Sequence, residues 1–326
     1  MRPFPVLMLS LVSVLLGVPI SDAAQSATPP VATPVAARGD FAGLVDLGSG
    51  REIYLECRGT GSPTVILEAG AGNDADTWDT VGRPPGSRQT AVLPGVAAFT
   101  RVCAYDRPGT ILDLDHRGRS DPAPMPRDAS AMVADAHALL TAAGIPGPYV
   151  LAGHSFGGLI ARLYAATYPR EIVGLVLIDA AHEDYYDQLR AVLTLAQWAT
   201  FTHPPDALAS DPTFERIDVD ASATAMREAA ATAPLRPMPV VVLTHGRPWD
   251  WPPGYPATDL EAIWRPLQEK LAALTPDARL VVAKQSGHFI PGDQPELVIA
   301  AIRQVVEAVR DPVSWATPAA GPSPGP

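Results

Sequence analysis

The residues GHSFG at positions 153–157 have the G-x-S-x-G spacing that presents a serine hydroxyl as a nucleophile. The apolar residues 149–152 before them predict a buried strand, and residues 159–166 after them predict a helix. A tight turn between strand and helix holds the serine clear of the sheet edge, and glycines on either side let neighbouring backbones pass closely. We therefore predict that Ser155 is a catalytic nucleophile; the alternative is a buried turn serine.

A serine hydroxyl is a poor nucleophile at neutral pH, so it needs a base in hydrogen-bond reach and a group that orients this base. Of the seven histidines, His288 lies between the predicted last strand, residues 279–283, and the predicted last helix, residues 296–309. That position brings it to the carboxyl edge of a parallel sheet, where the serine turn also points. We predict that His288 accepts the Ser155 proton and returns it to the leaving group, the alternative being an exposed loop histidine.

Three other histidines lie near predicted strand ends. His154 adjoins the serine, but its side chain should point away from the hydroxyl, so we assign it to packing. His182 and His245 follow or end other strands and are candidates for the lining of a pocket.

Strand and helix patterns alternate along the chain, which predicts a mostly parallel sheet covered on both faces. Glycines at 48 and 50 separate two alternating segments and indicate a hairpin at the start, and residues 129–143 predict a helix with Asp128 as N-cap and Gly144 as its stop. Residues 183–237 interrupt the alternation with Ala-rich helical sequence and scattered aromatic residues. The predicted strands are residues 41–47, 52–57, 64–68, 101–105, 149–152, 173–178, 239–243 and 279–283.

Composition limits the location and the partners of the protein. The chain has 326 residues, a formal net charge of −11 and no visible basic patch, which argues against a nucleic-acid partner. Arg2, the apolar residues 4–18 and the small residues 21–23 predict a signal peptide over 1–23 and hence a secreted protein, the alternative being an uncleaved N-terminal anchor. No other stretch predicts a membrane span. Pro- and Ala-rich sequence predicts a disordered leader over 24–39 and a disordered tail over 312–326, which leaves a folded domain over 40–311.

Five segments occur in an order typical of one large family of enzymes. They are VILEAGAG at 65–72, YDRPG at 105–109, GRSD at 118–121, GHSFGG at 153–158 and SGH at 286–288. With them, nearly all of residues 40–311 resembles the α/β-hydrolase superfamily, and most closely its cofactor-free serine esterases and lipases. The resemblance implies an α/β fold with an eight-stranded, mostly parallel sheet, helices on both faces and a small helical cap, residues 183–237, after the sixth strand.

The resemblance leaves two candidates for the acid that orients His288. Some relatives supply it at the end of the strand that follows the nucleophile helix, where this chain has Asp179. More often the family supplies it after the next strand, but residues 244–251 carry no Asp at the usual spacing and Asp250 comes one residue too late. We favour Asp179 and keep Asp250 open; a strand-end carboxylate that caps backbone amides is the remaining interpretation of Asp179.

The resemblance also implies two backbone donors for an oxyanion and a possible disulfide. Phe156, directly after the nucleophile, and Ala71, in a glycine-rich loop, supply the two N–H groups, although a plain glycine-rich turn would look similar. No nucleotide-binding motif is present, and the acidic residues 113–116 lack the ligand spacing of a metal site. In the strand order of the superfamily, Cys57 and Cys103 fall on neighbouring strands, so they form either a bridge or two free buried thiols.

These features predict a secreted serine hydrolase that cleaves carboxylic esters of small to medium apolar substrates through an acyl-enzyme, with no cofactor and no metal. An amidase, a peptidase or a C–C hydrolase would use the same residues, and a non-catalytic ligand-binding protein on this scaffold is an alternative of a different class. Relatives that act as epoxide hydrolases or dehalogenases have Asp in place of Ser155, which disfavours those reactions.

Overall fold

Eight strands form one sheet in the order β1-β2-β4-β3-β5-β6-β7-β8. β2 pairs antiparallel with β1 and with β4, and every other neighbouring pair is parallel, which confirms the predicted α/β-hydrolase sheet. The strands are β1 (Phe41–Asp46), β2 (Glu52–Arg58), β3 (Thr64–Glu68), β4 (Val102–Tyr105), β5 (Tyr149–His154), β6 (Ile172–Ile178), β7 (Val240–His245) and β8 (Arg279–Ala283).

The computed structural model describes residues 39–48, 50–82, 89–111, 117–202 and 208–316. The predicted signal peptide, nearly all of the predicted leader, the acidic residues 113–116 and residues 317–326 lie outside the described residues. In the part of the chain that the structure describes, no helix is long and apolar enough to cross a membrane.

Helices cover both faces of the sheet, because its central strands are apolar on both sides. Every residue of β3, β4, β5 and β7 is buried, as expected of parallel strands between two helical layers. One core cluster packs the sheet against α2, α3 and α7, and a second packs it against α1 and α9. These helices are α1 (Val92–Ala97), α2 (Ala129–Ala142), α3 (Phe156–Thr167), α7 (Ala257–Ala272) and α9 (Pro295–Arg310), with a short α8 (Ile290–Asp293) before α9.

The start and the end of α2 follow the predicted capping residues. The Asp128 carboxylate accepts a hydrogen bond of 2.9 Å from the Ala131 amide, which satisfies one of the amides that lack an intrahelical acceptor. Gly144 has a φ of +67°, a left-handed conformation that ends a helix and that glycine adopts without strain.

Residues 183–237 connect β6 to β7. Their described part, residues 183–202 and 208–237, contains the helices α4 (Tyr185–Val192), α5 (Leu195–Thr202) and α6 (Val219–Thr232). α4 and α6 contact one another, and α4 also packs on α7, while α6 packs on α3. The segment is therefore attached to the helices that flank the end of β5, where the serine turn lies.

The folded part extends past the predicted boundary at residue 311. Residues Pro312–Ala316 form the helix α10, which corrects the prediction that the disordered tail begins at residue 312. The Arg279 guanidinium lies 3.8 Å from the centroid of the Trp315 ring and donates a hydrogen bond to the Trp315 carbonyl. A tryptophan stacked under a guanidinium holds this segment on the sheet edge, which its Pro- and Ala-rich composition did not indicate.

Cys57 on β2 and Cys103 on β4 form a disulfide. They lie directly opposite one another in the antiparallel ladder, and both are fully buried. The structure thus contains the bridge and not two free thiols.

Replacing both cysteines by alanine should lower the free energy of unfolding by about 2–5 kcal/mol, since the bridge restricts the unfolded chain across a long loop. Denaturant unfolding of the double variant measures the loss. Wild-type protein unfolded in the presence of a reductant is the control and should approach the variant's midpoint; equal midpoints for oxidised wild type and variant would contradict a stabilising bridge.

Candidate active site

Ser155 sits on a strained turn between β5 and α3. Its φ is +53° and its ψ is −123°, a backbone conformation that side-chain-bearing residues rarely adopt. A Cβ at Gly153 or Gly157 would overlap a neighbouring carbonyl oxygen, so both flanking positions require glycine. The Ser155 amide donates to the Ile178 carbonyl of β6 at 3.0 Å. Close backbone packing therefore forces the turn that exposes the serine side chain.

Asp179, the first residue after β6, is fully buried and has a φ of +42°. Its Oδ2 lies 2.7 Å from His288 Nδ1, and its Oδ1 accepts a hydrogen bond of 2.9 Å from Trp264 Nε1. Burial by itself raises the pKa of Asp179, but hydrogen bonds from the rings of His245 and His288, together with electrostatic attraction to these rings, hold that pKa well below its ordinary value. Asp179 is therefore an ionised carboxylate that faces the His288 ring.

The structure distinguishes the two acids that the sequence left open. Asp250 is exposed and lies in the wall of a cavity. Asp179 is the carboxylate in hydrogen-bond contact with His288.

His288 lies in the loop between β8 and α8, with one ring nitrogen committed to Asp179. The Trp249 ring stacks on its imidazole with centroids 3.8 Å apart and an interplanar angle of 9°. The Trp264 ring is T-shaped to the imidazole, with centroids 5.6 Å apart. Because Nδ1 faces Asp179, Nε2 is the nitrogen left for the cavity that Ser155 also lines. The two tryptophans restrict rotation of the ring about this orientation.

His154 has a role that the sequence interpretation as packing missed. Its Nε2 is 2.9 Å from the His288 carbonyl oxygen. A carbonyl only accepts, so the proton is on Nε2. Burial, and next the nearby charge of His288, lower the pKa of His154 to about 3, so the ring is neutral. His154 therefore connects the end of β5, directly before Ser155, to the loop that carries His288.

The two other histidines proposed as pocket residues do not line the cavity. The buried His182 accepts a hydrogen bond from the Asp184 amide at 3.0 Å. His245 turns toward Asp179, with Nδ1 2.7 Å from Oδ2. No local pattern indicated this contact, because His245 and Asp179 meet only through the pairing of β6 with β7.

The two predicted oxyanion donors both lie in the wall of the cavity with Ser155. Phe156 is the first residue of α3, where helix amides have no intrahelical acceptor. Ala71 belongs to the loop after β3, and the next amide in that loop, that of Gly72, already donates to Glu215 Oε2 at 2.6 Å. The arrangement leaves the amides of Ala71 and Phe156 as the pair suited to a developing negative charge.

A buried arginine fixes the loop that carries Ala71. The Arg107 guanidinium donates to the carbonyls of Ala69 and Gly70 at 2.8 and 2.7 Å. It also forms ion pairs of 2.7 Å with Glu68 and with Glu215. Burial by itself lowers the pKa of Arg107, but these two carboxylates raise it further than burial lowers it, so the charge is retained. Glu215, from the segment between β6 and β7, thus connects that segment to the loop after β3. We refer to this loop, which carries the predicted donor Ala71, as the oxyanion loop.

A cavity of about 960 Å³ lies over the serine. Its wall combines aromatic and aliphatic side chains with charged ones, and much of it comes from residues 183–237. The charged residues of the wall are Glu215, Arg216, Arg247, Asp250 and Asp293. The large aromatic and branched aliphatic residues of the wall are Phe156, Tyr185, Tyr186, Phe201, Phe214, Ile217, Val219, Trp249, Trp264 and Phe289.

Fold and site together define an α/β protein in which a strained serine shares a cavity with an imidazole, at the carboxyl edge of a mostly parallel sheet, and a buried carboxylate contacts that imidazole. A model of the alpha/beta hydrolase family matches residues 65–301. The chain therefore belongs to the alpha/beta hydrolase family.

Individual relatives agree with this membership. An AB hydrolase superfamily protein of Gibberella zeae is 25% identical over 82% of this chain and 94% of its own length. The lipase LipV of Mycobacterium tuberculosis is 33% identical, over 42% of this chain and 54% of its own. A thermophilic esterase from Thermogutta terrifontis, solved with malate bound, has a similar fold, with a TM-score of 0.50 at 22% identity over 82% of this chain and 99% of that one.

Replacing Asp179 by Asn should lower turnover of a p-nitrophenyl ester by about 10⁴-fold, as for the analogous change in a serine protease, because the amide no longer stabilises the His288 imidazolium. Asp250→Asn is the matched comparison and should change turnover by less than about tenfold, since Asp250 only borders the cavity. Steady-state kinetics measure both, and a larger loss in Asp250→Asn would contradict the assignment.

Removing Glu215 should displace the oxyanion loop. Glu215→Ala leaves the Gly72 amide without its acceptor and takes one carboxylate from Arg107, so we expect a loss of up to about 3–5 kcal/mol of stability and a lower kcat. Glu215→Gln keeps an acceptor for Gly72 and should retain more activity than the alanine variant. Thermal unfolding and ester kinetics measure the two effects; equal kcat in all three proteins would show that the loop does not depend on Glu215.

Proposed function

We propose that this α/β hydrolase is a secreted serine carboxylesterase acting on esters with small to medium apolar groups. The observation that carries the proposal is the contact of Asp179 with His288, whose ring shares with the strained Ser155 turn a cavity that is rich in aromatic side chains. Serine, imidazole and carboxylate in this arrangement have the roles of nucleophile, base and orienting acid.

In the proposed reaction, Ser155 Oγ attacks the ester carbonyl carbon while His288 Nε2 takes the hydroxyl proton. The carbonyl oxygen becomes an oxyanion that the amides of Ala71 and Phe156 stabilise. The tetrahedral intermediate collapses as His288 protonates the departing alcohol, which leaves an acyl-enzyme on Ser155. Water, deprotonated by His288, then attacks the acyl carbonyl and releases the acid and the serine.

The aromatic wall supports apolar substrates. Phe201 and Phe214 from residues 183–237, together with Trp249, line the cavity above the serine. An apolar group bound there displaces water from the carbonyl, which strengthens the hydrogen bonds of the oxyanion donors. We therefore propose that residues 183–237 act as a cap over the site.

Two features support export of the protein. The sequence of residues 1–23 has the charged start, apolar middle and small-residue end of a signal peptide. The disulfide between Cys57 and Cys103 is of the kind that persists in oxidising compartments.

Ser155→Ala should abolish p-nitrophenyl ester turnover while the thermal unfolding midpoint stays within a few degrees of wild type, since only one oxygen is removed. A fluorophosphonate probe should label wild type at Ser155 and leave the alanine variant unlabelled. Ser314→Ala, in α10 and away from the cavity, is the control and should label as wild type does.

A panel of esters of graded chain length then tests the substrate class. Turnover should be highest for acyl or alcohol groups that fill the apolar wall. Wild-type protein that neither labels nor hydrolyses any ester would favour a binding protein on this scaffold.

A further inference from the structure

A second imidazole contacts the carboxylate that orients His288. His245, the last residue of β7, places Nδ1 2.7 Å from Asp179 Oδ2, the same oxygen that contacts His288. Its backbone amide donates to Asp179 Oδ1 at 3.1 Å. On the other side of the ring, Nε2 is 2.9 Å from Oε2 of Glu261 on α7. His245 is thus held between two carboxylates and is itself buried.

The two contacts determine the protonation of His245. Ionised carboxylate oxygens only accept hydrogen bonds, so each ring nitrogen of His245 must carry a hydrogen to bond its neighbour. A neutral ring would present a lone pair to one of the carboxylates. Burial by itself lowers the pKa of His245, but the hydrogen bonds and charges of Asp179 and Glu261 raise it to about 9. The geometry and the electrostatics both indicate an imidazolium at neutral pH.

We propose that His245, held as an imidazolium by Glu261, is a positioning residue that fixes the Asp179 carboxylate against His288. The proposal rests on the serine hydrolase function proposed above, because it assigns His245 a role in orienting that site. His245 itself lies behind Asp179 and does not line the cavity.

Glu261 supports His288 by a second route as well. Its Oε1 accepts a hydrogen bond of 2.9 Å from the Trp249 amide. Trp249 is the residue whose ring stacks on the His288 imidazole. One carboxylate on α7 therefore holds both the partner of Asp179 and the ring that covers His288.

The charges of this cluster balance as His288 takes up a proton. Asp179 and Glu261 are negative and His245 is positive, so with a neutral His288 the cluster carries one negative charge. An Asp179 carboxylate without His245 and Glu261 would carry the same charge. The negative charge of Glu261 therefore offsets the repulsion that the positive His245 would otherwise exert on the His288 imidazolium. Tyr185 from α4 also interacts with the two carboxylates, but burial, then Tyr186, then the charges of Asp179 and Glu261 raise its pKa well above 10, so it stays neutral.

The cluster predicts how activity depends on alkaline pH. As the pH rises through about 9, His245 loses the Nε2 proton, and its lone pair then faces Glu261 Oε2. The His245 ring then lacks its hydrogen bond to Glu261, so the Nδ1 donor to Asp179 is no longer fixed in position. Ester turnover by wild type should therefore fall as the pH rises through about 9.

Substitution of His245 tests the positioning role. His245→Leu removes the ring donor from Asp179 and should lower kcat by about 10²-fold with little change in KM, because the substrate does not touch this residue. His245→Asn restores one amide donor near the former Nδ1 and should recover part of kcat. The control is His137→Asn on α2, which breaks a 3.1 Å contact between His137 Nε2 and Glu171 Oε1 away from the cavity and should leave kcat unchanged. Wild-type kcat in His245→Leu would overturn the proposal.

Substitution of Glu261 separates geometry from charge. In Glu261→Gln, the side-chain amide can donate to a neutral His245 Nε2 while its oxygen still accepts from Trp249. This variant should keep most of its turnover at pH 7 and should no longer lose it as the pH rises through 9. Glu261→Leu offers neither contact and should lose kcat as His245→Leu does. An unchanged alkaline loss in Glu261→Gln would overturn the proposed imidazolium.

Thermal unfolding tests the charge of His245 without substrate, so its outcome is independent of the proposed esterase activity. The pKa of His245 is about 9 in the folded protein against 6.5 for the free side chain, so its stabilising effect is complete below pH 6.5 and is lost through pH 9. The unfolding midpoint of wild type should therefore fall more steeply from pH 6.5 to 10 than that of His245→Asn. Equal slopes would overturn the imidazolium even if Ser155 proved catalytic, and a steeper wild-type slope would support it even if no ester were cleaved.

Discussion

The site depends on keeping one carboxylate ionised away from water. Asp179 is fully buried, and a carboxylate in that position would become neutral without strong hydrogen-bond donors. The Trp264 indole, the amide and ring of His245 and the ring of His288 supply them. These donors come from α7, β7 and the loop after β8, so the requirement to solvate one charge brings three distant parts of the chain to the end of β6.

A second buried charge organises the other side of the serine. Arg107 lies between Glu68 at the end of β3 and Glu215 from the segment over the cavity, and it also holds two carbonyls of the oxyanion loop. An arginine suits this position because its planar fork can donate to several acceptors at once. Arg107 connects the oxyanion loop, through the carbonyls of Ala69 and Gly70, to Glu215 in the cavity wall. The position of the Ala71 amide and the shape of that wall therefore depend on the same arginine. The two networks flank Ser155 and leave the strained turn little freedom to relax.

Backbone strain is found at Ser155 and at Asp179. Among the described residues, Ser155 and Asp179 are the two non-glycine residues with positive φ. Such conformations persist only where surrounding structure enforces them, and they are concentrated at functional sites. Here the ends of β5 and β6 enforce both, through the hydrogen bonds of the Ser155 amide to Ile178 and of the Asp179 amide to Leu243. The parallel pairing of β5, β6 and β7 therefore sets the spacing between Ser155 and Asp179.

The sequence by itself determined the order of the elements, the parallel sheet and the place of the serine, because apolar periodicity and glycine spacing are local signals. It also predicted that His288 and Asp179 lie at the carboxyl edge, since a residue at the end of a parallel strand must lie there. Tertiary structure decided the rest. The contact of Asp179 with His245, the ion pair of Glu215 with Arg107 and the packing of Trp315 on Arg279 join residues far apart in the chain. No short pattern encodes which charged side chains will meet in a buried site, because that depends on strand register and on how helices pack across the sheet.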